Sequence, residues 1–141
     1  MPMPPVDINL LAVFVAGVTS MVVGALWYSP MIFGKIWMTM SHIDEKKMKE
    51  MKKKGLGKSY GMAFVGSLVM SYVLAHFVDY TQSNTAMAGA QTGFWLWLGF
   101  VAPVLMSSVL WEGKSMKLYL LNVGQLLVSL LIMGAILAVW V

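Results

Sequence analysis

Four long stretches without a charged side chain dominate this sequence and limit what it can fold into. They run from Ile8 to Gly34, from Ser59 to Val78, from Tyr80 to Trp111 and from Leu118 to Val141. A helix needs about 20 mostly apolar residues to cross the hydrocarbon core of a bilayer. Only 11% of the residues are charged, whereas a soluble domain needs roughly a quarter to build its water-facing surface. The sequence therefore predicts an all-α membrane protein with a single domain over residues 1–141.

A proline and a polar segment divide these stretches into spans. Pro30 cannot continue a helix, so the first span ends just before it. The segment Thr81-Gln82-Ser83-Asn84-Thr85 is too polar for hydrocarbon, so the third span is expected to begin after it, near Gln91. The prediction is a four-transmembrane-helix bundle, whose spans cover about residues 8–28, 60–80, 91–111 and 118–141.

The lysines set the predicted orientation. Eight of the ten lie between the first two spans, Lys114 and Lys117 lie between the last two, and the chain has no arginine. Short loops rich in lysine or arginine stay in the cytoplasm. We therefore expect a multi-pass protein of the cell (inner) membrane, with the N- and C-termini on the outer face and the lysine-rich loops in the cytoplasm.

The basic loop, residues 31–58, has its own predicted structure. An apolar stretch from Met31 to Met40 precedes an acid-and-lysine segment with helical spacing. This pattern predicts a short cytoplasmic helix, interfacial or amphipathic, between the first two spans. The expected partners are the lipid bilayer and its anionic headgroups, although a solvated loop that only sets topology is the favoured explanation of the lysine-rich helix over lipid or partner docking. Nucleic acid is not expected, because the lysines are clustered rather than spread over a folded face.

Small residues at a spacing of four predict which helices meet. Apolar burial does not drive helix association in lipid, so helices pack where small side chains let their backbones approach. We expect the stripes of the first two spans to face each other, and the third to be kinked at its proline. The stripes are Ala12/Ala16/Ser20/Gly24, Ala63/Ser67/Ser71/Ala75, Gly99/Pro103/Ser107 and Gly134/Ala138.

Polar residues at the cytoplasmic level form the first candidate site, which we call the inner polar pocket. Asn122 and Gln125 share one face of the fourth span, and Glu112 lies at the same depth. These groups could converge on a ligand, or the two amides could simply join helices while Glu112 pairs with Lys114 or Lys117. The candidate residues are Trp27, Tyr28, Ser29, Trp111, Glu112, Asn122 and Gln125.

A second polar group is expected near the outer surface, and we call it the outer polar cluster. It comprises Asp7, Asn9, His76 and Asp79. A His–Asp pair three residues apart could relay a proton, but a lone histidine near a helix end more often just reaches towards water. With no cysteine and two histidines the sequence offers no metal-ligand cluster, and it predicts no catalytic residue and no cofactor.

Two distinctive runs carry a family resemblance. They are Trp27-Tyr28-Ser29-Pro30-Met31-Ile32-Phe33-Gly34-Lys35-Ile36-Trp37 and Gly93-Phe94-Trp95-Leu96-Trp97-Leu98-Gly99-Phe100-Val101-Ala102-Pro103, the latter leading to Leu110-Trp111-Glu112-Gly113. The chain resembles the small bacterial integral membrane proteins catalogued as domain of unknown function 1761, over nearly its whole length. The resemblance implies a four-helix membrane domain. It implies no activity and assigns no functional residue.

The sequence bears on three classes of function. The leading hypothesis is a structural or accessory membrane protein, acting as a homo-oligomer or with a membrane partner. The alternative is a small transporter or a ligand- or lipid-binding carrier with a polar pocket at the cytoplasmic interface. An enzyme is the least favoured class, because no nucleophile–base pair can be assembled. A water-lined cavity reaching Gln125 and Ser129 would favour a carrier, whereas tight, dry packing there would favour the accessory role.

Overall fold

The computed structural model describes residues 8–29, 31–40, 45–53 and 57–140, and the regular elements within those ranges are all helices. Along the chain they are α1 (Leu10–Trp27), α2 (Gly34–Met40), α3 (Glu45–Lys53), α4 (Gly57–Tyr80), α5 (Ala86–Leu96), a π-helical turn (Trp97–Val101), α6 (Ala102–Leu105), α7 (Ser107–Leu110) and α8 (Met116–Val139). We call Ala86–Leu110 the third span. Together with α1, α4 and α8 it makes four helices that are long and apolar enough to cross a membrane.

The observed helices agree closely with three of the predicted spans, and the third begins earlier than expected. It starts at Ala86 rather than near Gln91. The Thr85 side chain caps this helix by accepting a hydrogen bond from the Ala88 amide at 3.1 Å. The polar loop is therefore shorter than predicted, and the small residues after Thr85 belong to the helix.

The four long helices alternate in direction, and α8 is the most buried of them. Ser71 of α4 donates a hydrogen bond to the Val13 carbonyl of α1 at 2.8 Å. This bond places the start of α1 beside the second half of α4. Trp27 at the end of α1 lies against Gly124 near the start of α8. Helix α8 contacts α1, α4 and α5, so it forms the centre of the packing.

Helices α5 and α8 pack with their backbones close together. A Cβ atom on Gly89 would collide with the Gly134 carbonyl, and one on Gly93 would collide with the Leu130 carbonyl. These two glycines are four residues apart, so they form one face of α5. Backbone contact, rather than side-chain interdigitation, therefore fixes this pair of helices.

The predicted stripe on α1 is buried, whereas the one on α4 is buried only in part. Ala12, Ala16 and Ser20 are almost completely covered. On α4, Ser71 is fully buried but Ala63 is exposed. The α1 stripe also serves α8, because Gly24 lies against the Gln125 amide. One row of small residues thus accommodates two neighbouring helices.

Pro103 interrupts the third span, as its position predicts. Proline removes the amide that would bond the carbonyl four residues earlier, and the chain passes through the π-helical turn immediately before it. Two side chains tie this irregular region to α8. The Trp97 indole donates to the Val123 carbonyl at 2.8 Å, and the Tyr119 hydroxyl donates to the Ala102 carbonyl at 2.6 Å.

The two ends of the molecule differ in chemistry. The end where α1 stops and α4 and α8 begin carries the lysines, and we call it the lysine end. The opposite end, where α4 and α8 stop and α1 and α5 begin, has no lysine, and we call it the distal end. The two candidate sites lie at these two ends.

Candidate functional site

The lysine end of α1 closes in a compact turn that the sequence explains locally. The Leu26 carbonyl accepts from the Ser29 amide at 3.2 Å and from the Ser29 hydroxyl at 2.7 Å. The Trp27 carbonyl accepts from the Phe33 amide at 3.1 Å. The freed carbonyls of the helix end are thus satisfied by the next residues of the chain.

The indole of Trp27 and the phenol of Tyr28 fasten this turn to α8. Trp27 donates from Nε1 to the Leu121 carbonyl at 3.0 Å. Tyr28 donates from its hydroxyl to Oδ1 of Asn122 at 2.7 Å. We call this arrangement the α1–α8 corner. Two of the predicted pocket residues, Tyr28 and Asn122, are therefore paired with each other.

Aromatic rings cover the α1–α8 corner. The Phe33 ring lies on Trp27 with centroids 4.6 Å apart, and the Trp37 ring meets Tyr28 edge-on at 5.8 Å. A phenol is neutral at physiological pH, because its ordinary pKa is about 10. The Tyr28 hydroxyl is therefore a hydrogen-bond donor to Asn122.

Gln125 lies one turn deeper and belongs to a closed pair. Its Nε2 donates to the Ser129 hydroxyl at 2.9 Å, and both side chains are buried. The bond lies within α8, and Gly24 of α1 packs beside the amide, since a Cβ atom built on Gly24 would be 3.5 Å from Nε2. The Gln125 amide is therefore buried and already bonded, rather than open to a ligand.

Two residues of the predicted inner polar pocket lie away from the α1–α8 corner. Trp111 is 85% exposed. Glu112 is also exposed and forms a salt bridge with Lys114 at 3.6 Å. An ion pair so open to solvent contributes little to stability. The structure thus groups Trp27, Tyr28, Ser29, Asn122 and Gln125 and leaves Trp111 and Glu112 on the surface.

The outer polar cluster is also divided. Asn9 and Asp79 line one cavity at the distal end. His76 uses Nδ1 for its own helix, 2.9 Å from the Tyr72 carbonyl, and its ring packs on Tyr72. Asp7 lies outside the described residues. The structure therefore places Asn9 together with Asp79, and it gives no His76–Asp79 hydrogen bond among the residues it describes.

The cavity at the distal end has a volume of about 350 Å³, and we call it the distal cavity. It lies between the start of α1, the end of α4 with the turn that follows, and the end of α8. Ala12, Ala75 and Ala138 contribute little side-chain volume at its base, which leaves the space open. Its polar and aromatic lining consists of Asn9, Asp79, Gln82, Ser83, Asn84 and Trp140.

Sequence reasoning missed the loop half of this cavity. The sequence predicts Gln82, Ser83 and Asn84 only as part of a polar break between spans. The backbone of Gln82 has a positive φ of 55°, which turns the chain back over the end of α4. Ser83 is then buried and shares its hydroxyl with Thr81 and Thr92, at 2.7 and 2.9 Å. The run of five polar residues was the available signal for such a turn.

One comparison with known proteins identifies a family. The family described as "Protein of unknown function (DUF1761)" matches residues 11–138, so the chain belongs to that family. The resemblance read from the tryptophan-rich runs is thereby confirmed. No curated protein and no solved structure matches the chain.

Proposed function

We propose that this DUF1761 protein is a multi-pass integral membrane protein with an accessory role, and that it assembles with a second copy of itself through its third span. Four helices of 18 to 25 residues have the length and composition to cross a bilayer. Most of the exposed large apolar side chains lie along these helices, as lipid-facing residues would. Insertion with four spans accounts for both features.

The orientation we propose puts the lysine end in the cytoplasm of the cell membrane. The structure's lysine end collects both lysine-containing loops, and lysine-rich short loops stay inside. Helix α3 exposes Lys46, Lys49 and Lys53. These charges would meet the anionic headgroups of the inner leaflet, with a contribution of about 1 kcal/mol for each lysine near the surface.

The observation that carries the assembly proposal is the poor coverage of the third span. Only 6% of its apolar window is buried, against 44% for α8. Its α5 segment packs mainly on α8 and uses the Gly89–Gly93 face to do so. The opposite face exposes Trp95 and leaves Gly99 with open space around it. A second helix can approach the backbone there.

Gln91 makes a second copy the favoured occupant of that face. Its side chain is exposed on α5 and precedes Trp95 by one helical turn. It lies about 8 Å along the helix axis from Ala86, at roughly 1.5 Å per residue. A carboxamide both donates and accepts, so two Gln91 side chains can bond each other across a two-fold axis. Such bonds contribute about 1 kcal/mol in membranes.

Packing near the lysine end weighs against the carrier alternative. A carrier at the cytoplasmic interface needs a cavity that reaches Gln125 and Ser129. Those two side chains bond each other and are buried, and the neighbouring Tyr28–Asn122 pair is closed in the same way. The α1–α8 corner is thus better explained as a joint between helices, which supports the accessory role.

Cysteine cross-linking tests the assembly directly, because the natural chain has no cysteine. Leu98→Cys places a thiol on the exposed face of the third span, and Val69→Cys places one on the exposed face of α4. In oxidised membranes we expect a covalent dimer from Leu98→Cys and little from the matched control Val69→Cys. Adding Gln91→Leu should reduce the Leu98→Cys dimer.

Two results would refute this assembly. Equal cross-linking at both positions would indicate random collision in the bilayer. A monomer at Leu98→Cys under conditions that oxidise the thiol would show that lipid, and not a second copy, covers the third span.

A further inference from the structure

The distal cavity has the size and depth of a small-molecule site. Its volume of about 350 Å³ is at the lower end of the range of roughly 300–1,000 Å³ that ligand pockets occupy. Ala12 and Ala138 at its base are at most 2% exposed, so the cavity reaches the packed core. Its described walls come from three separate parts of the chain, namely the start of α1, the end of α4 with the turn that follows, and the end of α8.

Among the residues that the structure describes, its lining carries a negative charge. Asp79 is the one ionisable side chain among the described lining residues, and the described lysines lie at the other end of the molecule. Within the described ranges, the Asp79 carboxylate makes neither a salt bridge nor a side-chain hydrogen bond. The Asp79 carboxylate would therefore repel an anionic ligand and attract a cationic one.

Some of the polar side chains around Asp79 already make hydrogen bonds within the protein, and others make none to a described residue. The Asn9 oxygen caps α1 by accepting from the Leu11 and Ala12 amides at 3.0 and 3.2 Å, and the Ser83 hydroxyl is shared with neighbouring threonines. The Gln82 and Asn84 amides are exposed and make no side-chain bond to another described residue. Their oxygens can therefore accept hydrogen bonds from a ligand.

The lining indicates an organic cation rather than a metal ion. Ca²⁺ and Mg²⁺ are bound by several oxygen ligands, usually with more than one carboxylate. The described residues contain no group of three or more acidic, histidine or cysteine side chains that could hold a metal ion. Trp140 instead adds an indole ring to the wall, and indole faces attract ammonium groups. The alanine and leucine side chains of the base suit the methylene groups of an amine.

We propose that the distal cavity binds a small organic compound with a primary ammonium group, whose charge pairs with Asp79 and whose N–H groups bond the Gln82 and Asn84 oxygens. Trp140 covers the ammonium, and the apolar base holds its carbon chain. A free amine and the ethanolamine headgroup of a phospholipid both present this chemistry. The site is independent of the assembly proposed for the third span, which lies on a different surface.

Two binding measurements separate the two sources. Ethanolamine is titrated into the detergent-purified protein by calorimetry, with ethylene glycol as the uncharged control at equal ionic strength. Lipid binding is measured by native mass spectrometry after release from nanodiscs that contain phosphatidylethanolamine and phosphatidylglycerol in equal amounts. Binding of ethanolamine identifies a free amine as a sufficient ligand. Retention of phosphatidylethanolamine without binding of ethanolamine identifies the lipid headgroup.

The variant Asp79→Asn tests whether the distal cavity is the site of this binding. It keeps the shape and removes the charge, and because Asp79 is exposed the fold does not depend on its carboxylate. We expect at least a tenfold loss of affinity for Asp79→Asn and unchanged affinity for Glu112→Gln, a matched change of an exposed carboxylate at the lysine end. Ala75→Leu, which fills the cavity without touching a charge, should also weaken binding. Absence of binding by both probes, or unchanged binding in Asp79→Asn, would overturn the proposal.

Discussion

At the scale of single residues, the tryptophans divide into those that bond the backbone of a neighbouring helix and those that do not. Trp27 and Trp97 each donate to a carbonyl of α8, at 3.0 and 2.8 Å. Trp111 is 85% exposed and Trp95 66%. Bonding a carbonyl that already belongs to a helix joins two helices without breaking either. Trp27 and Trp97 therefore act as cross-links, whereas Trp111 and Trp95 offer their surface to lipid, headgroups or a partner.

Replacing Trp27 tests this division. Trp27→Phe keeps an aromatic ring against Phe33 and removes the donor to Leu121, so it should lower the free energy of unfolding by about 1 kcal/mol or somewhat more. The matched control is Trp111→Phe, which should change it by less than about 0.5 kcal/mol. Unfolding in mixed micelles, followed by circular dichroism, gives both values. Equal losses in the two variants would mean that Trp27 acts only as an interfacial anchor.

At the scale of helices, the α5–α8 pair depends on glycine and the α1–α4 pair on a serine. Gly93 lets the Leu130 carbonyl approach, while Ser71 donates to the Val13 carbonyl at 2.8 Å and is fully buried. Both devices allow backbones to come close, which is the main source of helix association in lipid. Small side chains are therefore structural wherever a carbonyl faces them.

The glycines of the third span provide a matched test of this statement. Gly93→Ala puts a methyl group against the Leu130 carbonyl and should cost about 1–3 kcal/mol of stability through overpacking. Gly99→Ala meets no atom of its own chain within 4 Å, so in monomeric protein it should be neutral or stabilise by up to about 1 kcal/mol through helix propensity. Thermal unfolding in detergent compares them. A Gly93→Ala variant as stable as Gly99→Ala would show that α5 and α8 are less close than the structure has them.

The helices themselves were largely predictable from the sequence, because the length of an apolar run and the position of Pro30 set their ends. The start of the third span was not, since Thr85 reads equally as the last loop residue or as a helix cap. A third span that begins at Gln91 leaves Gly89 outside the helix. The Gly89–Gly93 spacing, and with it the close packing of α5 on α8, is then not recognised from the sequence. The α1–α8 corner was predicted as a group of residues, but its bonding depends on carbonyl positions that no side-chain pattern reveals.

The distal cavity was less predictable for a related reason. Asn9 and Asp79 could be placed at one depth from span lengths alone. Gln82 and Trp140 line the same cavity because three helix ends meet there. How these ends meet is a property of packing and not of any single helix. Sequence patterns predict the level of these residues along the helices, and the structure identifies their neighbours.

At the scale of the whole molecule, the central proposal is that the four long helices cross a membrane with the lysine end in the cytoplasm. The separation of charge supports it, since the lysines gather at one end and Asp79 lies at the other. Both ligand access to the distal cavity and lipid contact by α3 depend on this orientation. A result that reversed it would also reverse the leaflet with which each end interacts.

Labelling of single cysteines in intact cells measures this orientation most directly, because the natural chain has no cysteine to interfere. Asn84→Cys exposes a thiol at the distal end, and Lys49→Cys exposes one on α3. With a membrane-impermeant maleimide, we expect Asn84→Cys to react in intact cells and Lys49→Cys to react only after permeabilisation. Labelling of Lys49→Cys but not Asn84→Cys in intact cells would contradict the orientation, and labelling of both would contradict the four-span insertion.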